Sequence, residues 1–191
     1  MKYSSGNLFL VGLMGAGKTT VGRQLAAQLN KRFVDADREL EARTGVKISV
    51  IFEIEGESGF RRRESELLRE LTAESNIVLA TGGGAIKDGG TRDLLKTRGY
   101  TIYLSAGVAE LVARLHDDRR RPLLQNKDPR STLEELLAER EPFYREVADL
   151  IVETGRPNIA KLVSGIVAAL QSEANTRALL ATAESNPQAS S

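Results

Sequence analysis

Gly12-Leu13-Met14-Gly15-Ala16-Gly17-Lys18-Thr19 fits the pattern G-x-x-x-x-G-K-[ST]. The glycines let the backbone wrap closely enough for successive N–H groups to cup phosphate oxygens, and the helix that starts here adds its positive end. Lys18 would bridge the outer phosphates, and the Thr19 hydroxyl would ligate Mg²⁺. At average composition the pattern arises by chance in about 1% of chains this long. The flanks meet its structural conditions. Leu8-Phe9-Leu10-Val11 is an apolar run ended by Gly12, which reads as a buried strand. From Lys18 to Leu29 the pattern turns helical, with Val21, Leu25 and Leu29 four apart.

Outward from this loop the same alternation repeats. Phe33-Val34, Ile77-Val78-Leu79-Ala80, Tyr100 to Leu104 and Leu150-Ile151-Val152 read as further short strands. Between them lie a charged helical stretch from Asp37 to Arg43 and an amphipathic helix from Phe60 to Thr72 with Leu67, Leu68 and Leu71 on its stripe. Helices also begin at Leu111-Val112 and run through Leu133, Leu136 and Leu137. A last helix follows Ile159, Leu162, Val163, Ile166, Val167 and Leu170. Five nearly all-apolar strands alternating with helices predict an α/β chain whose parallel sheet is covered on both faces, a three-layer αβα arrangement. Ligands of such sheets bind beyond the carboxyl ends of the strands. Gly12, Asp35 and Gly82 each stand just past a strand, so the sequence predicts that they meet at one edge.

Composition narrows the chemistry. The 191 residues are 41% hydrophobic and 28% charged, with 27 Lys+Arg against 26 Asp+Glu and a net charge of +1. That balance fits an ordinary globular protein and gives no basic excess of the kind that marks many nucleic-acid binders. The absence of Cys excludes a disulfide scaffold, Cys-based zinc sites and a thiol nucleophile. A single histidine, His116, excludes multi-His metal sites, and any Ser-His-Asp triad would have to pass through it. No apolar run approaches the length of about 20 residues that crosses a bilayer, and the N-terminus lacks the pattern of a signal peptide. The expectation is a cytoplasmic enzyme with one domain over 1–171 and a small-residue, polar tail over 172–191 that is disordered.

A phosphate loop implies a nucleotide but not its use. No Asp has Gly three residues on, so the D-x-x-G of a GTPase switch is missing, and Asn126-Lys127-Asp128 has the wrong spacing for guanine recognition. The transporter-ATPase signature is absent too. A small kinase with a second substrate beside ATP remains. Three further features fit one. Asp35 and Asp37 put two carboxylates at a strand end, to hold Mg²⁺ through water and to meet a substrate hydroxyl, unless Asp37 merely caps a helix and Asp35 is solvated. Arg61-Arg62-Arg63 at the start of a helix oppose its dipole, so a bound anion or Glu64 would explain them better than a solvated face. Gly82-Gly83-Gly84 suit close approach of a ligand, or else a plain tight turn.

Behind the phosphate loop stand, in order, Asp35-x-Asp37, Phe60-Arg61 with Glu64, Thr81-Gly82-Gly83-Gly84, Arg121-Pro122-Leu123-Leu124 and Arg140-x-Pro142-x-Tyr144. Together these motifs resemble shikimate kinase, over about residues 7–170. The resemblance implies a P-loop fold of nucleoside-monophosphate-kinase type, with a five-stranded parallel sheet, a mobile lid over about 113–127 and a helical substrate-binding region over about 35–62. It implies phosphoryl transfer from ATP to the 3-hydroxyl of shikimate, with Mg²⁺, by a monomer without nucleic-acid or membrane partners. Catalysis would fall to Lys18, Asp37 and Arg121. Asp37 would orient or deprotonate the hydroxyl, and Arg121 would swing from the lid onto the phosphates. ATP would meet Gly12, Gly15, Ala16, Gly17, Lys18, Thr19 and Thr20, with Arg114 and Pro157 flanking adenine. Shikimate would meet Asp37, Phe52, Phe60, Arg61, Gly82, Gly83, Gly84 and Arg140, its carboxylate gripped by Arg61 and Arg140 with Glu64 holding the arginines in place. The metal would sit between Thr19 and Asp35. The nearest alternative is a sugar-acid kinase of gluconokinase type, and a further one is a nucleotide-binding partner without catalysis.

Overall fold

The computed structural model describes residues 6–115, 128–155 and 158–184, with backbone alone at 173 and 175–184. Five strands form, β1 (Leu8–Val11), β2 (Arg32–Asp35), β3 (Ile77–Ala80), β4 (Tyr100–Ser105) and β5 (Leu150–Glu153). They make one sheet in the order β2-β3-β1-β4-β5, every pair parallel. Residues of β1, β3 and all but the last of β4 are buried, as strands covered on both faces must be. Phe9, Leu10, Leu79, Ile102 and Tyr103 fill the centre, joined by Leu25 and Leu68 from the flanking helices. A polar pin closes the amino-terminal end. Buried Asn7 donates to Glu74 O at 2.7 Å and accepts from Ile77 N at 3.2 Å, satisfying backbone groups at the mouth of β3.

The register explains why the predicted site residues converge. Leu10 pairs with Ala80, Asp35 with Ala80, and Val11 with Tyr103. Gly12, Asp35 and the glycines after Thr81 therefore leave the sheet at one edge.

The helices are α1 (Lys18–Gln28), α2 (Ala36–Thr44), α3 (Ile48–Leu71), α4 (Gly89–Arg98), α5 (Val108–Leu115), α6 (Pro129–Val147) and α7 (Ile159–Glu184), with a 3₁₀ turn at Ala85–Lys87. The sequence expectation includes no helix at α4, and two of the others differ from it. The helix expected to start at Phe60 begins at Ile48 and bends at Gly56 (φ 68°, ψ −177°). Gly56 and Gly59 break the apolar periodicity and hide its first half. Arg61, Arg62 and Arg63 follow that bend by more than one turn, beyond the reach of a helix end's dipole, and Arg61 meets Glu64, as one of the two explanations expected. The other difference is α7, whose backbone is helical beyond Gln171, through Glu184. Ala, Leu, Glu and Arg in this stretch are strong helix formers, so small and polar composition alone did not predict coil.

The chain divides into two compact units, Met1–Pro157 and Asn158–Ser191, so the division falls before the expected domain end at 171. All five strands lie in the first unit; α7 makes up the described part of the second. Among the described residues no helix is long and apolar enough to cross a membrane.

Candidate active site

The phosphate loop joins the buried end of β1 to α1. At Gly12 (φ 140°) a Cβ would come 2.5 Å from the Leu104 carbonyl, so no side chain fits. Gly17 caps α1 in the left-handed region (φ 95°), leaving the first N–H groups of the helix without a side-chain cap. Such a helix start suits an anion. Lys18 Nζ donates to Gly12 O at 2.7 Å and to Leu13 O at 2.9 Å, folding back over the loop it is expected to serve. Gly15, Ala16, Thr19 and Thr20 complete the turn and the first helical residues.

Thr19 Oγ1 donates to Asp35 Oδ2 at 2.7 Å, so the two residues expected at the metal do meet. The other Asp35 oxygen accepts from Arg38 N at 3.3 Å and caps α2. The capping alternative is therefore realised with the residues exchanged: Asp35 is the cap, and Asp37 lies within the helix, half-buried. A hydroxyl and a carboxylate at the loop are hard oxygen donors of the kind Mg²⁺ takes, so the pair fits that ion.

Next to the loop lies an open pocket holding about 560 Å³ of empty space, its mouth included. Its lining comes from Met14, Asp37, Ile48, Phe52, Phe60, Arg61, Glu64, Gly82, Gly83, Gly84 and Arg140. All eight residues expected to meet the acceptor are among these, although they come from four separate stretches of chain. Phe52 and Phe60 form its apolar floor, ring centroids 4.7 Å apart. Two arginines share the lining. Arg61 lies over the Phe60 ring, donates to Glu64 Oε2 at 2.6 Å, and reaches Glu57 Oε1 through Nε and Nη2. Burial works against its charge, but Glu64 and Glu57 more than offset that and raise its pKa. Arg140 is only 2% exposed. Its Nη1 donates to Gly83 O at 3.3 Å, while Nε finds no hydrogen-bond partner among the described residues. Tyr144, stacked on Tyr103 at 5.0 Å, also donates to Gly83 O and helps to fix that peptide. Burial holds the Tyr144 phenol well above its usual range, so it acts as a neutral donor.

The glycine triplet is explained by space. A Cβ on Gly82 would meet Glu64 Oε1 at 2.1 Å and Asp37 Oδ1 at 3.2 Å; one on Gly84 would strike the Arg61 guanidinium at 2.1 Å. Bare backbone there lets three charged side chains crowd the same wall.

Glu64 is more unusual than its motif suggested. It is 3% exposed, and its Oε1 has no hydrogen-bond partner among the described residues. Burial is the main cause that lifts its pKa from 4.5 to about 7, with Asp37 pushing the same way and Arg61 and Arg140 opposing. The folded state holds a proton that the unfolded chain has lost, so the contribution is complete below about pH 4.5 and is lost as pH rises through about 7. The unliganded protein should have a higher urea midpoint at pH 5 than at pH 8, and Glu64→Gln should flatten that slope. An equal slope in the two proteins would mean that Glu64 does not carry it.

Arg114 points to the phosphate loop rather than outward: Nη1 donates to Gly15 O at 3.1 Å and to Thr154 Oγ1 at 3.3 Å, and Nη2 donates to Thr154 O. Arg121, the remaining lid residues from 116 and Pro157 lie outside the described residues.

The shikimate kinase family model matches residues 14–171. The shikimate kinase of Cupriavidus pinatubonensis is 56% identical over 165 residues, covering 86% of this chain and 86% of that one. The shikimate kinase of Chromobacterium violaceum is 53% identical over 167 residues, covering 87% and 91%. Among solved structures, shikimate kinase from Acinetobacter baumannii in complex with shikimate superposes with a TM-score of 0.85 at 48% identity, covering 87% of this chain and 93% of that one. With the phosphate loop and the two-arginine pocket side by side at the sheet's carboxyl edge, the chain belongs to the shikimate kinase family.

Proposed function

We infer that this chain transfers the γ-phosphoryl group of ATP to the 3-hydroxyl of shikimate, giving shikimate 3-phosphate and ADP. One observation carries the reading: Arg61, Arg140 and Asp37 line a single pocket directly beside Met14 of the phosphate loop. Two guanidiniums suit the bidentate grip of a carboxylate, and a carboxylate on the same wall suits a polyol hydroxyl. The Acinetobacter baumannii relative, solved with shikimate, supports the same choice of acid.

The mechanism follows from what each residue offers. Phosphoryl transfer has a loose transition state, so catalysis is chiefly positioning and charge neutralisation. Backbone N–H groups from Gly12 to Thr20 hold the phosphates, and Lys18 exchanges its two carbonyl contacts for phosphate oxygens. Thr19 and Asp35 would hold Mg²⁺, which supplies charge to the phosphate oxygens when bound. Asp37 aligns the acceptor hydroxyl and can accept its proton. Gly82, Gly83 and Gly84 bring backbone close to the acid, and Phe52 and Phe60 support its ring. Arg121 neutralises developing charge from the lid, and Arg114 and Pro157 flank the adenine. Action as a monomer in the cytoplasm, where ATP is plentiful, is part of this proposal.

The test is ADP release with shikimate against gluconate. Turnover with shikimate alone is expected; turnover with gluconate alone refutes the acceptor. Arg140→Lys keeps the charge but loses the planar fork. It should raise the KM for shikimate by about 1–2 kcal/mol on the scale of a charge-assisted hydrogen bond, roughly tenfold, with kcat close to that of the parent. A normal KM would remove Arg140 from the acid site.

A further inference from the structure

Helix α3 is two helices joined at a corner, and both line the same pocket. Ile48 and Phe52 come before Gly56; Phe60, Arg61 and Glu64 come after it. The angle between these halves therefore sets how Phe52 and Phe60 meet in the pocket floor. A second contact spans the corner. Arg63 Nε donates to Glu55 Oε2 at 3.0 Å and to Oε1 at 3.1 Å, and Nη2 donates to Oε1 at 2.7 Å. Positions eight apart on a straight helix are separated by about 12 Å along the axis. The bidentate pair exists because the chain turns at Gly56. Gly59 makes the crossing feasible: a Cβ there would come 2.4 Å from Glu55 Cβ, and Glu55 passes over the bare backbone to reach Arg63. Four residues outside the pocket lining, Glu55, Gly56, Gly59 and Arg63, thus act as one brace.

We propose that the Glu55–Arg63 pair is a positioning device that holds the corner at Gly56 and so fixes the separation of Phe52 from Phe60, and with it the fit of the acid substrate. The pair touches no reacting atom. It rests on the reading of this pocket as the acid site, but its effect on the corner itself does not.

The pair is part-exposed, at 29% for Glu55 and 44% for Arg63, which limits its strength. Arg63→Ala should raise the KM for shikimate about two- to fivefold, with kcat and the KM for ATP unchanged. Glu55→Ala should do the same, and it should add nothing in the Arg63→Ala background, because both break one contact. The exchanged pair Glu55→Arg with Arg63→Glu should restore the parent KM. A KM unaltered by Arg63→Ala, a proportionate change in ATP kinetics, or full additivity of the two variants would each overturn the proposal. A readout independent of the acid completes the test. The chain has no tryptophan, so Phe52→Trp gives a single emitter beside Phe60. Adding Arg63→Ala should move its emission to the red without any substrate. If that shift occurs while the parent protein does not turn over shikimate, the brace stands and the acceptor assignment falls; if the parent turns shikimate over and the emission stays put, the brace falls.

Discussion

Lys18→Ala should abolish measurable turnover while the protein remains folded. Lys18 is half-buried beside the loop, and its Nζ donates to the Gly12 and Leu13 carbonyls. Without nucleotide those bonds tether the loop; with nucleotide the same ammonium should turn to the outer phosphates. Removing it deprives the transition state of a charge that water cannot replace in a closed site. The stability cost is different in kind. Two part-buried bonds from a charged donor are lost, and each kcal/mol shifts the melting temperature by about 2–4 °C for a chain of this size. Calorimetry without nucleotide should therefore show a small decrease and a cooperative transition, and nucleotide should raise the melting temperature far less than in the parent. A transition lost altogether would show that the tether is part of the fold, and activity would then say nothing about Lys18.

The phosphate loop was legible because its chemistry lies in eight contiguous residues and in the backbone, and the adjoining strand and helix could be checked on either side. The sheet was legible for a related reason. Strands covered on both faces need apolar runs, and Ile77-Val78-Leu79-Ala80 cannot be read as anything half-exposed. Where a signal depended on periodicity across glycines, it failed. Gly56 and Gly59 hid the first half of α3, and with it the corner that puts Phe52 against Phe60.

Which residues share the pocket beside the phosphate loop was legible, but their arrangement was not. Motif order named Asp37, Arg61 and Arg140 correctly as neighbours, but spacing in a chain says nothing about burial. The orphan oxygen of Glu64 follows from packing among α2, α3, α6 and the backbone of Gly82. The exchange of roles between Asp35 and Asp37 has a similar origin. A D-x-D pair permits a cap at either position, and the single residue by which α2 starts earlier decides between them. A signal for the Glu55–Arg63 brace was present in E-G-x-x-G-x-x-x-R, but it acquires meaning only once the corner is known.

That exchange sharpens the second large effect, expected from Asp37→Asn. With Asp35 capping α2, the carboxylate of Asp37 is not needed to start the helix. It lies in the first turn, where the positive helix end favours a negative charge, and faces the pocket beside Gly82. Asparagine keeps the shape and can still hydrogen-bond a hydroxyl, but it can neither accept the proton nor hold the nucleophilic oxygen with a full charge. Turnover should fall by about 10²–10⁴-fold, the usual worth of general-base assistance, while ATP affinity stays within about twofold. The substitution should also act on Glu64. Asp37 is one of the charges that raise the Glu64 pKa, so removing it should move the loss of stability with pH to lower pH. The two readouts separate chemistry from structure. A large fall in kcat together with a shifted stability profile places the carboxylate in the pocket and in the reaction. A shifted profile with near-normal kcat would leave Asp37 as a neighbour of Glu64 alone, and the acceptor hydroxyl would need another partner on that wall.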